Sequence, residues 1–211
     1  TYDLNQILPR NRATYKDTIL FAPTYRIGSI QGILNRLLPD FAKIEEICIK
    51  NNYLFIVKVH PFMKKDSYFI EIAEKYKNSQ HILFWDDNYD IYEVFTSIDI
   101  AIIDYSSIFY DLLDAGVEKF IRYVPDLDEY QQDLELIGDY IDLTEGTLIQ
   151  NFQALLLQLE HGNIEQVSTE RKKYLMNYFF GFEYENNSME SLIEAVDECH
   201  IQAKALKALH A

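Results

Sequence analysis

The sequence predicts an α/β fold in which a parallel sheet is covered by helices on both faces. Short runs of almost continuous apolar residues recur along the chain, as is typical of strands that are buried on both faces. Segments with apolar residues at helical spacing separate these runs, so neighbouring strands are expected to be parallel. Only helical patterns follow the last run, and they predict a helical C-terminal segment.

Apolar runs form the predicted sheet. The main ones, in chain order, are Thr18–Ala22, Tyr53–Val59, His81–Trp85, Ile98–Ile103 and Lys119–Val124. Pro23 and Pro61 each stop a strand, because proline has no N–H group to donate to a neighbouring strand. Tyr140–Asp142 is predicted as a weaker sixth strand. Parallel strands of this kind are joined by right-handed crossovers through the intervening helices.

Helices are predicted between and after these strands. They cover Pro39–Asn51, Asp66–Lys77, a short helix that carries Ile91, Val94 and Phe95, then Ser106–Ala115, Leu148–Glu160, Glu165–Phe179 and Met189–Leu209. Pro39 is expected in the first turn of its helix, Asp90 as an N-cap, and Gly116 at a helix end. The last helix has an apolar stripe, which we expect to pack back on the domain.

Composition excludes several classes of protein. The chain of 211 residues has 19 basic and 34 acidic residues, and its formal charge of −15 argues against a nucleic-acid partner. No G-x-G-x-x-G motif for a dinucleotide cofactor is present. Cys48 and Cys199 lie far apart without the spacing of a metal site, so a reduced, cytoplasmic protein is expected. No apolar run approaches the roughly 20 residues that a membrane span requires.

Polar residues follow several of the predicted strands. In an open parallel sheet, ligands bind beyond the carboxyl ends of the strands, so these residues should meet along one edge. The candidates are Thr24 and Arg26 after the first strand, Lys58 and His60 at the end of the second, and Asp104, Ser106 and Ser107 after the fourth. The combination predicts a site for a ligand that carries phosphate.

Each candidate also has a purely structural explanation. Ser106 and Ser107 open a helix, where serine is a preferred N-cap, although hydroxyls and backbone N–H groups there also bind anions. His60 can simply end a strand, and Arg26 can be an ordinary solvated charge. Lys58 is unusual inside an apolar strand, and its spacing of two residues from His60 should point both side chains to the same face.

The adjacent pair Asp86 and Asp87 follows the third strand. Two neighbouring carboxylates without a third ligand are weak evidence for a metal site, and we expect a turn at this position. The residues therefore require neither a metal ion nor a cofactor.

Three segments together resemble a known family. They are ILFAPTYR (19–26), IVKVHP (56–61) and DIYEVFTSIDIAIIDYSSIFYDLL (90–113). Their order and spacing resemble the CDP-glycerol glycerophosphotransferases, which include the teichoic-acid primases and polymerases and related capsule polymerases. RYVPDLDEY (122–130) is similar to a later segment of that family, and the resemblance covers roughly residues 18–200. The chain departs from the family pattern at 136–140 and 144–146.

The resemblance implies an enzyme of glycosyltransferase-B-type architecture, in which two Rossmann-like lobes face a cleft. This chain matches the C-terminal, donor-binding lobe, and an N-terminal lobe is then missing. The implied division is a lead-in at 1–17, the Rossmann-like nucleotide-donor domain at 18–163, and C-terminal helices at 164–211. The resemblance also implies that the full-length enzyme is cytoplasmic and peripheral on the inner face of the bacterial cell membrane.

The implied reaction is the transfer of a polyol phosphate. An acceptor hydroxyl, on a polyol-phosphate polymer or a lipid-linked primer, attacks the β-phosphorus of CDP-glycerol or CDP-ribitol, and CMP leaves. We expect Ser106, Ser107 and the following helix start to bind the pyrophosphate, and Arg26 to add charge. His60, as an imidazolium, or Lys58 is expected to stabilise the leaving phosphate or donate a proton.

The remaining candidates are Thr24, expected to bind substrate, and Asp104, expected to orient a hydroxyl or hold its loop. The general base is expected in the missing lobe. Three alternatives stay open at this point: a nucleotide-sugar glycosyltransferase lobe of the same architecture, a non-catalytic nucleotide-binding lobe, and a flavodoxin-like or receiver-type module.

Overall fold

A six-stranded parallel sheet forms the centre of the computed structural model, which describes residues 14–26, 32–133, 139–181, 190 and 192–200. The strands are β1 (Asp17–Ala22), β2 (Tyr53–Val57), β3 (Ile82–Phe84), β4 (Ile100–Ile103), β5 (Lys119–Tyr123) and β6 (Thr147–Ile149). Their order is β3-β2-β1-β4-β5-β6, and every neighbouring pair is parallel. This is the strand order of the Rossmann fold.

Helices connect the strands. They are α1 (Ile33–Leu37), α2 (Phe41–Asn51), α3 (Ser67–Tyr76), α4 (Ile108–Asp114), α5 (Leu127–Asp133), α6 (Tyr140–Leu143), α7 (Phe152–His161) and α8 (Thr169–Phe180), with 3₁₀ turns at Met63–Lys65 and Ile91–Ser97. None of the helices within the described residues is long and apolar enough to cross a membrane.

Both faces of the sheet are covered, as predicted. On one face, Ile19 and Phe21 of β1 belong to a buried cluster that includes apolar residues of α1, α2, α3 and α7. Leu20, between them, is also fully buried, because successive strand residues point to opposite faces. On that second face, α4 packs Phe109 against Phe120 of β5, with ring centroids 4.7 Å apart. The predicted fold class is therefore confirmed.

The predicted sixth strand is wrong. Tyr140–Asp142 lies in α6, because the side chain of Asp139 caps this segment by accepting hydrogen bonds from the backbone N–H groups of Ile141 and Asp142. The sixth strand is Thr147–Ile149, and α7 begins only at Phe152 rather than at the predicted Leu148. Gly146, with φ of 121°, lets the chain approach the backbone of Phe120 closely enough to pair with β5.

Several predicted boundaries shift by a few residues. Pro39 does not lie in the first turn of its helix, because Asp40 is the N-cap and α2 begins at Phe41. Asp90 caps the 3₁₀ turn that follows it, as predicted. The predicted helix from Ser106 begins at Ile108, which leaves Ser106 and Ser107 in the loop after β4.

The chain divides into two compact units, 1–172 and 173–211, and the first contains the whole sheet. In the second, α8 continues to Phe180, and residues 192–200 are helical within the predicted last helix. Met189 and residues 201–209 of that prediction lie outside the described residues. The predicted boundaries at 18, 163 and 164, and the packing of the last helix on the domain, stay predictions.

Candidate functional site

An open cleft of about 430 Å³ lies beyond the carboxyl ends of β1, β2 and β4. The strand order reverses between β1 and β4, and ligands of this fold bind at such a point. The residues that line the cleft are Ala22, Pro23, Thr24, Tyr25, Lys58, Val59, His60, Tyr105, Ser106, Ser107 and Ile108. Thr24, Lys58, His60, Ser106 and Ser107 were all predicted from the sequence, and the structure brings them together.

Asp104 lies behind the cleft and ties two strand ends together. Its carboxylate accepts the backbone N–H of Thr24 at 2.9 Å and the Thr24 hydroxyl at 2.7 Å. Burial raises the pKa of Asp104 above its ordinary value, although Arg26 and Thr24 act in the opposite direction. Of the two roles expected for Asp104, this geometry corresponds to holding the loop.

Arg26 is buried between two carboxylates rather than exposed to the cleft. Its Nη1 lies 2.8 Å from Asp104 Oδ2, and its Nε donates to Asp126 Oδ2 at 2.8 Å. Its Nη2 donates to Asp126 Oδ1 at 3.2 Å, and its Nη1 also donates to the carbonyl of Thr24 at 2.7 Å. All three guanidinium nitrogens thus have partners within the protein. We expected Arg26 to add positive charge at the pyrophosphate, but in the structure its guanidinium is bound by Asp104, Asp126 and the Thr24 carbonyl instead.

Within this buried cluster, the pairing of Arg26 with Asp126 favours the ionised form of both groups. Burial lowers the pKa of Arg26, but the hydrogen bonds and charges of Asp126 and Asp104 outweigh burial and raise it above its ordinary value. Burial likewise raises the pKa of Asp126, but its hydrogen bonds from Arg26 hold that pKa below its usual range. One guanidinium faces two carboxylates, so the cluster offers no surplus positive charge to an anion in the cleft.

Aromatic rings complete the cluster. The Tyr105 hydroxyl donates to Asp126 Oδ1 at 3.1 Å, and the Tyr105 ring stacks on Tyr130 with centroids 3.8 Å apart. The guanidinium carbon of Arg26 lies 4.8 Å and 4.9 Å from these two ring centroids. The hydroxyl of Tyr140 donates to the Asp104 carbonyl at 3.0 Å.

None of these supporting residues is among the site residues predicted from the sequence. Asp126 follows β5 as Asp104 follows β4, so the sequence places it at the same edge of the sheet, although we assign it no role from the sequence alone. Tyr105 and Tyr130 lie in the segments that resemble the family, but nothing in the sequence shows that their rings stack, and Tyr140 carries no such signal.

His60 is exposed at the rim of the cleft, at the end of β2. Its Nδ1 accepts a hydrogen bond from the backbone N–H of Phe62 at 3.2 Å. In this geometry Nδ1 is the acceptor, so the ring proton lies on Nε2, which is left to donate to a ligand. The rings of Tyr25 and Phe62 pack on His60, each with a centroid distance of 5.1 Å.

Lys58 is the cation closest in sequence to His60 and lines the same cleft. Its backbone N–H still donates to the Phe21 carbonyl at 2.9 Å, although β2 ends at Val57. Its ammonium lies 3.8 Å from a carboxylate oxygen of Asp87, whose other oxygen binds Lys64 at 2.8 Å. Asp87 is therefore shared between two lysines, and Lys58 is only loosely held by it.

The predicted turn at Asp86 and Asp87 is present. Asp86 accepts the backbone N–H of Asn88 at 3.0 Å, and the chain reverses there. Within the ranges that the structure describes, no group of three or more His, Cys, Asp or Glu side chains is arranged to hold a metal ion.

A family model for CDP-glycerol:poly(glycerophosphate) glycerophosphotransferases matches residues 3–196 of the chain. The chain belongs to this family. The resemblance that rests on the segments at 19–26, 56–61 and 90–113 is thereby confirmed.

Curated relatives in this family act in teichoic acid synthesis. The teichoic acid ribitol-phosphate polymerase TarL of Staphylococcus aureus is 32% identical over 152 residues, which cover 71% of this chain and 26% of TarL. The teichoic acid poly(glycerol phosphate) polymerase of Bacillus spizizenii is 33% identical over 149 residues, covering 67% of this chain and 35% of that protein. The teichoic acid glycerol-phosphate primase of Bacillus subtilis is 28% identical over 145 residues.

The solved structure of a variant of the wall teichoic acid polymerase TagF has the same fold. The TM-score is 0.64 at 18% identity, and the match covers 96% of this chain and 48% of that chain. The chain thus spans about half of TagF and about a quarter to a third of the curated relatives named above.

Proposed function

We propose that the chain is the donor-binding lobe of a transferase that moves glycerol phosphate or ribitol phosphate from a CDP-polyol. The acceptor is a growing teichoic-acid or capsule-like polymer, or its lipid-linked primer, and CMP is released. The observation that carries this proposal is the cleft at the switch point, lined by the segments after β1, β2 and β4 that bear the family resemblance. A structure of a TagF variant has also been solved after a soak with CDPG, which supports a donor of this class.

In the proposed reaction, an acceptor hydroxyl attacks the β-phosphorus of the donor. A new P–O bond forms, the bond between the β-phosphorus and the bridging oxygen breaks, and the bridging oxygen leaves on CMP. Catalysis of such a transfer depends on positioning and on neutralising charge at the phosphates. We assign no general base to this chain, since that group is expected from a second lobe.

Different residues of the cleft bind the phosphates and neutralise their charge. The hydroxyls of Ser106 and Ser107 bind the diphosphate, Lys58 supplies the positive charge, and the Nε2–H group of His60 donates to an oxygen of the leaving phosphate. Lys58 suits this role because its pairing with Asp87 is long, at 3.8 Å, and can be exchanged for a phosphate oxygen. Thr24 forms the floor of the cleft, with both its N–H and its hydroxyl held by Asp104.

The wider setting is part of the same proposal. A lipid-linked acceptor requires the complete enzyme to work at the inner face of the cell membrane, and an N-terminal lobe would close the cleft over the donor. The chain itself is strongly acidic, so attraction to an anionic membrane surface must come from elsewhere in the enzyme.

Nucleotide selectivity tests the donor class. The protein is titrated calorimetrically with CDP-glycerol, CDP-ribitol, CMP and a UDP-sugar. We expect binding of the cytidine ligands in preference to the UDP-sugar. Equal or stronger binding of the UDP-sugar would favour the nucleotide-sugar glycosyltransferase, and absence of any nucleotide binding would contradict both assignments.

Turnover of the complete enzyme tests the site. Ser106→Ala and His60→Ala should each lower turnover by at least about tenfold, the scale of one lost charge-assisted contact. Matched controls are Ser67→Ala at the start of α3 and His161→Ala at the end of α7, both exposed and outside the cleft. Wild-type kinetics in both cleft variants would refute the proposed site.

A further inference from the structure

Asp126 joins two loops of the cleft without lining it. Its carboxylate is buried, with 6% of the residue exposed, beyond the end of β5. One oxygen accepts from Nε of Arg26 at 2.8 Å, and the other accepts from the hydroxyl of Tyr105 at 3.1 Å. Arg26 belongs to the loop after β1, and Tyr105 to the loop after β4. Asp126 thus fixes the two loops relative to each other.

Tyr105 is held on three sides. Its hydroxyl donates to Asp126. Its ring stacks on the ring of Tyr130, with centroids 3.8 Å apart, and the guanidinium carbon of Arg26 lies 4.8 Å from the Tyr105 ring centroid. The preceding peptide is held as well, because Tyr140 donates to the Asp104 carbonyl at 3.0 Å. The next residue along the chain is Ser106, which lines the cleft.

We propose that Asp126 is a positioning residue of the donor site, which acts through Tyr105 to aim Ser106 and Ser107 at the phosphates of the donor. The inference rests on the proposed function, since it takes the serine loop as the phosphate-binding part of the cleft. Asp126 itself does not line the cleft, so the proposed role is exerted through Tyr105 rather than by contact with the donor.

The serine side chains have few contacts of their own, although the carbonyls of Ser106 and Ser107 accept the backbone N–H groups of Phe109 and Tyr110 at 3.3 Å and 3.0 Å. Ser106 Oγ accepts only a long hydrogen bond, 3.3 Å, from the N–H of Ile108, and Ser107 makes no side-chain cap to α4. The loop between β4 and α4 is thus tied to α4 through its carbonyls, and at its start it is anchored through Asp104 and the side chain of Tyr105. Loss of the Tyr105 anchor should let the two serines move while the sheet below stays intact, since Asp104 still binds Thr24.

The geometry also explains why a carboxylate is needed. Asp126 accepts from Arg26 with both oxygens and from Tyr105 with one of them. An asparagine in its place has one acceptor oxygen and an NH₂ group, which cannot accept from either partner. Asp126→Asn therefore keeps the size of the side chain and disrupts the link between the two loops.

The test compares ligands with and without phosphate. Wild type, Tyr105→Phe and Asp126→Asn are titrated with cytidine, CMP and CDP-glycerol, and affinities are measured by ligand-observed NMR, which registers weak binding. The control is Tyr123→Phe, which removes a buried hydroxyl that donates to the Leu37 carbonyl at 2.8 Å and belongs to a residue that does not line the cleft. Circular dichroism and thermal melting establish that each variant is folded.

A positioning role predicts a selective loss. In Tyr105→Phe and Asp126→Asn, the ratio of CMP affinity to cytidine affinity should fall by about fivefold or more, the scale of one well-formed hydrogen bond, while cytidine affinity is kept. Tyr123→Phe should lose thermal stability and keep the wild-type ratio. If Asp126→Asn does not fold, Tyr105→Phe decides, because it leaves the pairing of Arg26 with Asp126 intact.

Two negative outcomes are distinguishable. If wild type binds cytidine nucleotides and folded variants keep the wild-type ratio, or lose cytidine and CMP affinity equally, the positioning role is overturned and the proposed function stands. If wild type binds no cytidine nucleotide, the proposed function itself fails, and the inference fails with it.

Discussion

The carboxylate of Asp104 receives both the backbone N–H and the hydroxyl of Thr24, and this contact closes the switch point between β1 and β4. The two residues are 80 positions apart in the chain, yet they meet because their strands are neighbours in the sheet. The chain leaves β1 towards β2 on one side of the switch point and leaves β4 towards β5 on the other, so the loops after the two strands diverge. Asp104 supplies one connection between them beneath the cleft, and the link from Arg26 through Asp126 to Tyr105 supplies a second.

Removal of the Asp104 carboxylate should be costly. We expect Asp104→Ala to lower the free energy of unfolding by about 3 kcal/mol, because it breaks a buried ion pair and leaves polar groups of Thr24 and Arg26 without an acceptor. Glu74→Ala is the control, since its ion pair with Lys77 is exposed and should be worth less than about 1 kcal/mol. Urea denaturation measures both values, and similar losses in the two variants would contradict the role given to Asp104.

His60 should act through its N–H group rather than through a positive charge. His60→Gln places an amide NH₂ close to the position of Nε2, whereas His60→Ala removes the donor altogether. We expect His60→Ala to weaken CDP-glycerol binding by about tenfold, and His60→Gln to recover most of that loss. Calorimetric titration of both variants is the measurement. An equal loss in both would instead indicate that the charge of an imidazolium is required.

Gly146 should tolerate no side chain. A Cβ at this position would overlap the Phe120 carbonyl oxygen and lie 2.7 Å from the Phe120 Cβ. Gly116 is a matched control, because it also has a positive φ, 96°, but a Cβ there would meet nothing within 4 Å. We expect Gly116→Ala to cost about 1 kcal/mol from backbone strain alone, and Gly146→Ala about 3 kcal/mol or more. Chemical denaturation that ranked the two variants equally would argue against a close approach of β6 to β5.

Stability should fall at alkaline pH, in part through Cys48. Burial raises the pKa of the Cys48 thiol from 9.0 to about 12, with Glu45 acting in the same direction. The unfolded chain loses this proton first, so the contribution of Cys48 is complete below about pH 9 and decreases as the pH rises towards 12. Buried tyrosines such as Tyr68, whose pKa burial also raises to about 12, add to the same trend.

A cysteine variant isolates that contribution. Between about pH 9 and pH 10.5, wild type should lose about 1.6 kcal/mol more of its free energy of unfolding than Cys48→Ala does, measured by urea denaturation under reducing conditions. Cys199→Ala, at an exposed cysteine, should follow the wild-type slope. Identical slopes for wild type and Cys48→Ala would show that the thiol ionises equally in both states.

Local patterns were sufficient for most of the elements. The apolar runs predicted β1 to β5, and the capping residues Asp90 and Gly116 marked helix ends correctly, because caps and apolar runs depend on neighbours in the chain. The wrong prediction of a strand at Tyr140–Asp142 also came from considering only neighbours in the chain. A short alternation of apolar and polar residues cannot be assigned without knowing that Asp139 caps a helix and that Thr147–Ile149 occupies the edge of β5.

The sequence by itself determined the parallel α/β fold, the family, and the set of polar residues at the carboxyl ends of β1, β2 and β4. These follow from apolar periodicity and from motifs that are contiguous in the chain. Only the tertiary structure decided that Arg26 lies between Asp104 and Asp126 instead of facing the cleft, and that Tyr105 is anchored to Asp126. The physical reason is distance along the chain: Arg26 and Asp126 are 100 positions apart, and the choice between a buried ion pair and an exposed charge depends on which loops the sheet brings together.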